Sequence, residues 1–272
     1  MNYGKRIETT KELREIQLEL LLEFHEFCEE NNINYSLAYG SLLGAIRHKG
    51  YIPWDDDIDV CMLRSEYEKL EKIFPENYKN RYSFYTLNRA KKWNRPYGKF
   101  FNSKTIEIEH TRNNVGIGIG IDIFPIDDVP DNHKKFERFR KRRLLLVKAS
   151  TLKWLIWSKE RSFRKNLIIA ASQILLLPFP NRFLARLIDA YSRSKNNKGY
   201  KSVFRSCDTI VGKISFPKSL FDGYVDVPFE NYTFKAMQGY KDYLHACYGD
   251  YMKLPPKEKQ VSHHAFNAFW KN

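Results

Sequence analysis

Asp55-Asp56-Asp57-Ile58-Asp59 sets four carboxylates into five residues, between a Pro53-Trp54 turn and the apolar Val60-Cys61-Met62. Few folds accommodate such a run. If Ile58–Met62 is a strand, side chains at i and i+2 share a face with Cα atoms about 6.5 Å apart. Asp57 and Asp59 then stand side by side while Ile58 turns into the core. Neighbouring carboxylates repel and raise each other's pKa unless a cation lies between them. The fold must therefore leave the run in solvent as an acidic turn or bring a cation to it. A hard divalent ion, Mg²⁺ or Mn²⁺ in its place, fits the second case, because it takes a few carboxylates and completes its shell with phosphate oxygens. A calcium EF-hand does not fit: Glu66 falls at the twelfth position from Asp55, but the loop glycine is missing and apolar residues fill the middle.

About seventeen residues before the acidic pair stands Gly40-Ser41. A short strand at 35–39, then Gly-Ser, then helical residues at 42–48, would offer free backbone N–H groups to a phosphate at a helix N-terminus. Most Gly-Ser pairs are plain turns or caps. The spacing to Asp57 and Asp59 is what suggests phosphates held between a helix start and a metal.

The rest of the chain supports a mixed fold. Thr9 and Glu12 form a capping box, and Leu13, Ile16, Leu20, Phe24 and Phe27 recur at helical spacing, which predicts a helix over 10–30. A strand at 58–62 and a helix at 65–74 follow. Segments 82–87, 97–101, 105–109 and 118–124 are short and rich in aromatic and β-branched residues, and read as strands of one sheet. Glycines alternating with isoleucine at 116–121 would let a ligand or another backbone come close. Helices are expected over 133–194, and again, most clearly, over 232–248.

Charge is unevenly spread. The 272 residues carry 46 Lys and Arg against 32 Asp and Glu, a formal +14. Between Lys134 and Lys165 there are 13 basic residues and only two acids, interleaved with Trp154 and Trp157. Such a stretch is a solvated face, a nucleic-acid surface or an interfacial membrane helix. No recognised nucleic-acid module accompanies it. Lys and Arg beside tryptophan and the apolar 167–177 run favour a membrane surface. No apolar run reaches the ~20 residues needed to span a bilayer. Four cysteines without paired spacing read as free thiols of a reducing compartment, so a cytoplasmic location, peripheral at the inner face of the plasma membrane, is expected.

Gly40-Ser41-Leu42-Leu43-Gly44 with Arg47, then Pro53-Trp54-Asp55 with Asp57 and Asp59, resembles the LicD family of phosphotransferases, which includes bacterial phosphocholine transferases and the fukutin-related proteins. Tyr97-Gly98-Lys99, Phe221-Asp222-Gly223-Tyr224, Tyr248-Gly249-Asp250-Tyr251, Leu254-Pro255-Pro256 and His263-His264 extend the resemblance through most of the chain. The family is similar to polymerase-β-type nucleotidyltransferases. The resemblance implies an α+β fold, a nucleotidyltransferase-like mixed sheet core flanked by helices, as one domain over 1–272 with a basic helical insertion at about 133–200.

The resemblance further implies that Asp57 and Asp59 bind the catalytic metal and that Asp122, in Ile121-Asp122-Ile123, is the third carboxylate. Gly40 and Ser41 would hold phosphate, with Arg47, Lys99, His263 and His264 as further substrate-binding candidates. The implied reaction moves a substituted phosphate from a CDP-alcohol such as CDP-choline to a hydroxyl of a glycan or lipid-linked oligosaccharide, as in teichoic acid or lipopolysaccharide biosynthesis. Two alternatives are a nucleotidyltransferase placing NMP on a small molecule or protein, and a non-catalytic membrane-surface binding protein. Trp54 and nearby tyrosines are candidates to cage a quaternary ammonium, although packing under the acidic loop is the plainer role for Trp54.

Overall fold

The structure is a computed structural model that describes residues 3–109, 111–112, 115–205, 214–261 and 266–272. The chain begins with β1 (Tyr3–Ile7) and α1 (Thr10–Glu30). The helix starts where the sequence predicts: Thr9 accepts a hydrogen bond from the Glu12 amide at 3.1 Å. It buries Leu13, Ile16, Leu20, Phe24 and Phe27 along one stripe and stops at Asn31, beside Asn32 in a left-handed conformation (φ 52°). Next come β2 (Ser36–Leu37), α2 (Tyr39–Arg47), β3 (Asp59–Leu63) and α3 (Arg64–Ile73). The expected strand at 35–39 is thus only two residues long. Gly40 and Ser41 lie inside the first turn of α2, not in a turn ahead of it.

Four strands follow: β4 (Tyr82–Tyr85), β5 (Gly98–Asn102), β6 (Thr105–Glu109) and β7 (Gly120–Val129). Three helices, α4 (His133–Trp154), α5 (Phe163–Leu175) and α6 (Asn181–Arg193), separate β7 from β8 (Ser202–Phe204) and β9 (Phe216–Pro217). The chain closes with the hairpin β10 (Tyr224–Phe229) and β11 (Tyr232–Met237), then α7 (Tyr240–Tyr248) and β12 (Phe266–Lys271). The fold is α+β with a mixed sheet, as expected.

The central sheet runs β2-β3-β7-β5-β4, extended from the later half of β7 through β8 to β9. β3 and β7 pair in parallel, while the other pairings in this sheet are antiparallel. Val60, Ile121, Ile123 and Phe100 are buried from solvent, so the sheet closes over the main core, with α1 and α3 packed against it.

Two expectations fail for reasons that lie outside the local sequence. The 105–109 strand does not join the central sheet. It pairs with β12, which pairs with β1, in a separate three-stranded sheet. Its partner lies more than 150 residues away, so no local pattern announces it. The helix expected over 232–248 begins only at Tyr240. Residues 232–237 form a strand, because Glu230, in a left-handed conformation (φ 54°), closes a tight hairpin that pairs Phe229 with Tyr232. Phe234 and Ala236 then face the core at strand spacing. At 118–120 the close neighbour is backbone: a Cβ on Gly118 would run into the Asn102 carbonyl oxygen, and one on Gly120 into that of Phe100.

Arg64, at the start of α3, joins the helical segment to the sheet. Its guanidinium donates two 2.8 Å hydrogen bonds to the two oxygens of Asp127, on the later half of β7. A third, of 2.9 Å, goes to Asp189 on α6. Asn196 donates to the same Asp127 carboxylate at 2.7 Å. The Asp127 side chain is completely buried. Arg64 keeps Asp189 when Asp127 is removed, but its buried donors to Asp127 lose their acceptor, which costs about 1–3 kcal/mol. Asp127→Ala should therefore destabilise the protein by that amount in urea unfolding. A loss under about 1 kcal/mol would show that Arg64 finds water instead.

Candidate active site

The register of the central sheet builds one wall of a cavity of about 670 Å³. Asp59 on β3 is level with Asp122 on β7, and Asp122 is level with Lys99 on β5. Level residues on adjacent strands share a face about 4.8 Å apart. Two carboxylates and an ammonium thus form a row across three strands, and all three line the cavity with Asp57. The cavity is also lined by side chains from α7 and the segments around β8 and β9, including Arg205, Phe216, Tyr243 and Tyr248.

The acidic loop is held from outside by α1. Arg14 donates to the carbonyl oxygens of Ile52 (2.9 Å), Pro53 (3.0 Å) and Asp55 (2.5 Å), and Gln17 to that of Asp56 (2.9 Å). Tyr51 donates to the Arg14 carbonyl at 3.0 Å and lies under its guanidinium. The loop backbone is therefore pinned by residues one helical turn apart, which leaves its carboxylates to face elsewhere.

Ser41 is buried, and its hydroxyl accepts a 2.8 Å hydrogen bond from the Asp59 amide. It fixes the first residue of β3. Gly40 lies so close to the Asp55 carboxylate that a Cβ there would collide with it. An anionic side chain of the protein itself thus stands against the helix start, which favours negative charge. Tyr39, the first residue of α2, has a left-handed backbone (φ 48°) and presents its ring to the cavity. The Arg205 guanidinium lies 3.3 Å from the centre of that ring.

Opposite charges pack densely behind the row. The Lys99 ammonium is 3.3 Å from Glu107 and 3.7 Å from Asp122 Oδ1. Burial alone would lower its pKa, but these two carboxylates outweigh burial and hold it well above the ordinary lysine value. Burial raises the Glu107 pKa even against the pull of Lys99. Arg95 pairs with Glu109 and donates to the Tyr97 hydroxyl at 2.9 Å. Burial opposes its charge, but Tyr97, Glu109 and Asp122 together raise its pKa further. The phenols of Tyr243 and Tyr248 are pushed up chiefly by burial, so both are neutral donors near pH 7.

Of the expected site residues, Asp57, Asp59, Asp122 and Lys99 line this cavity. Gly40 and Ser41 lie behind it and shape the acidic loop and β3. Arg47 sits apart, donating to the carbonyl oxygens of Tyr251 (3.0 Å) and Lys253 (3.4 Å) and to His48 (2.9 Å). Trp54 packs edge-on against His48 and is not part of the cavity lining. His263 and His264 lie outside the described residues. Arg95, Glu107, Glu109 and Arg205 line the cavity unannounced, and Tyr248, quoted only as part of the family resemblance, joins them. The one available signal was the Glu107-x-Glu109 alternation on a short strand, which places two carboxylates on one face.

The cavity's donors suit a hard divalent ion. They are carboxylate oxygens, and Asp122 Oδ1 is buried without a hydrogen-bond donor. Among the described residues no three His, Cys, Asp or Glu side chains converge into a closed ligand cage. An open carboxylate wall that substrate phosphates complete is the form in which Mg²⁺ is commonly held.

The chain is similar to several known proteins. Residues 32–164 match the model of the LicD/FKTN/FKRP nucleotidyltransferase domain. A lipopolysaccharide cholinephosphotransferase of Haemophilus influenzae is 32% identical over 96% of this chain and 98% of its own length. Uncharacterised proteins of Rickettsia prowazekii and Rickettsia typhi are 41% and 40% identical over 58 residues, each about a fifth of either chain.

Removing Arg14 leaves three loop carbonyls without their donor. In Arg14→Ala, amides over 52–57 should exchange with solvent more than tenfold faster in hydrogen–deuterium mass spectrometry, because the segment opens without global unfolding. Unchanged exchange would show that the loop holds itself.

Proposed function

The chain belongs to the LicD family, and on that premise we propose that it transfers phosphocholine from a CDP-activated donor to a hydroxyl of a lipopolysaccharide-type glycan. The reaction class is carried by one observation: Asp59, Asp122 and Lys99 stand in a row on the wall of a cavity large enough for a nucleotide-sized donor. The transferred group comes from the relative, which is named as a cholinephosphotransferase and aligns end to end.

Phosphoryl transfer asks a protein for positioning and charge neutralisation more than for covalent help. In this reading the acceptor oxygen bonds to the choline-bearing phosphorus as the bond from that phosphorus to the CMP oxygen breaks. Asp122 takes the hydroxyl proton, and CMP leaves with the bonding electron pair. Lys99, kept charged by its two carboxylates, and Arg205 neutralise phosphate oxygens. Asp57 and Asp59 would hold a Mg²⁺ ion, whose chemistry is to offset charge on the diphosphate and leaving group. Glu107 keeps the Lys99 end of the row fixed, and Arg95 holds Tyr97 and Glu109 beside it. The neutral rings of Tyr243 and Tyr248 offer faces to a trimethylammonium group.

Incubation with CDP-choline, Mg²⁺ and a glycan acceptor tests the proposal. Free CMP should appear as choline phosphate becomes attached to the glycan. CMP attached to the acceptor would support nucleotidyl transfer instead. Asp57→Asn, Asp59→Asn and Asp122→Asn should each lower kcat by about 100-fold or more while the thermal midpoint stays within a few degrees. Retained turnover in Asp59→Asn would overturn the assignment of the row.

A further inference from the structure

Helix α5 is turned inside out. Asn166 is buried, with its amide donating to the Ser158 carbonyl at 2.8 Å, and Gln173 donates to the carbonyls of Leu152 and Leu155 at 2.8 Å each. Gln173 thus faces the end of α4, and Asn166 the connection that leads from α4 into α5. The outward stripe is apolar: Leu167 is 56% exposed, Ile168 65%, Ile174 69% and Leu175 77%. Leu177 and Phe179 extend it past the helix end, and Trp157, edge-on to Phe163, extends it before the start. Soluble proteins rarely leave contiguous apolar area of this kind uncovered.

Charge identifies what covers it. Lys159, Arg164 and Lys165 are exposed around the start of α5. Cations bordering an apolar stripe, with tryptophan at its edge, suit the headgroup layer of an anionic bilayer. The same border would repel a second copy of this chain, which carries +14 overall. At 13 residues, or about 20 Å, α5 is too short to span, and no described helix is long and apolar enough to cross a membrane.

We propose that the outward face of α5, with the turn that follows it, docks into the headgroup layer of anionic lipid. The docked face is fastened to the wall of the cavity. The Trp154 ring, at the end of α4, lies under the Arg95 guanidinium, 5.3 Å from its centre. Arg182 on α6 donates to the carbonyls of Ala90, Lys91 and Trp93, just before β5. Docking therefore fixes the cavity's orientation to the lipid surface, and a lipid-borne acceptor would meet it at a set height. The lipid contact itself does not depend on the proposed reaction.

Cosedimentation of the full chain with phosphatidylglycerol-containing vesicles tests the docking without any turnover assay. The chain should bind them at least tenfold more tightly than pure phosphatidylcholine vesicles at low salt, and release as NaCl rises. The double variant Ile168→Gln, Leu175→Gln should lose at least tenfold in vesicle affinity with an unchanged thermal midpoint. Arg164→Glu with Lys165→Glu should lose the preference for anionic lipid. Absence of vesicle binding by the unmodified chain would overturn the proposal. So would unchanged binding by the apolar double variant. Conversion of a self-associated species to monomer by that variant, with vesicle binding intact, would assign the face to a second copy instead.

Discussion

The parallel pairing of β3 with β7 is the constraint from which the site follows. It sets Asp59 level with Asp122, and the antiparallel neighbour β5 then brings Lys99 level with both. A shift of one residue in either register would turn a carboxylate to the core face and put an isoleucine or valine in the cavity. The register is correspondingly well anchored. Ser41 accepts the Asp59 amide at 2.8 Å, and the Ala38 amide donates to the Asp59 carbonyl at 2.9 Å. Both main-chain polar groups of Asp59 are tied to the start of α2.

β7 serves two environments in succession. Its first half carries Asp122 into the cavity. Its second half carries Asp127 into a dry ion pair with Arg64, which α6 completes through Asp189. The helical segment is therefore joined to the same strand that bears a site carboxylate. Val129, Phe136, Phe139 and Phe204 form a small apolar cluster of their own beneath it. The segment thus has its own packing and a rigid polar link to the sheet.

Local chemistry was legible in the sequence, and distant pairing was not. The Thr9 cap, the α1 stripe, the acidic loop and the strand at Asp59 all depend on neighbours within a few residues, and each stands where its pattern put it or within one or two positions; the Glu12 half of the expected capping box turns instead to the Trp270 indole. Asp122 and Lys99 were readable as candidates from the family resemblance. Their alignment with Asp59 was not, because register is a property of three strands together. Arg95, Glu107 and Arg205 escaped notice for the same reason. Each is an ordinary surface residue type until a partner on another strand or segment covers it, as Lys99 covers Glu107. The Tyr232–Met237 segment misled in the other direction. Its aromatic spacing suits a helix until the Glu230 turn is known.

The backbone of Tyr39 costs something to hold. A side chain at φ 48° is disfavoured by about 1 kcal/mol or more, and glycine would adopt that geometry without the penalty. What glycine cannot supply is the ring on which Arg205 rests and against which Phe124 packs, 5.5 Å away between centres. The chain thus tolerates local distortion to keep a flat aromatic platform in the cavity lining. The tolerance marks that position as held by its side chain, against the preference of its main chain.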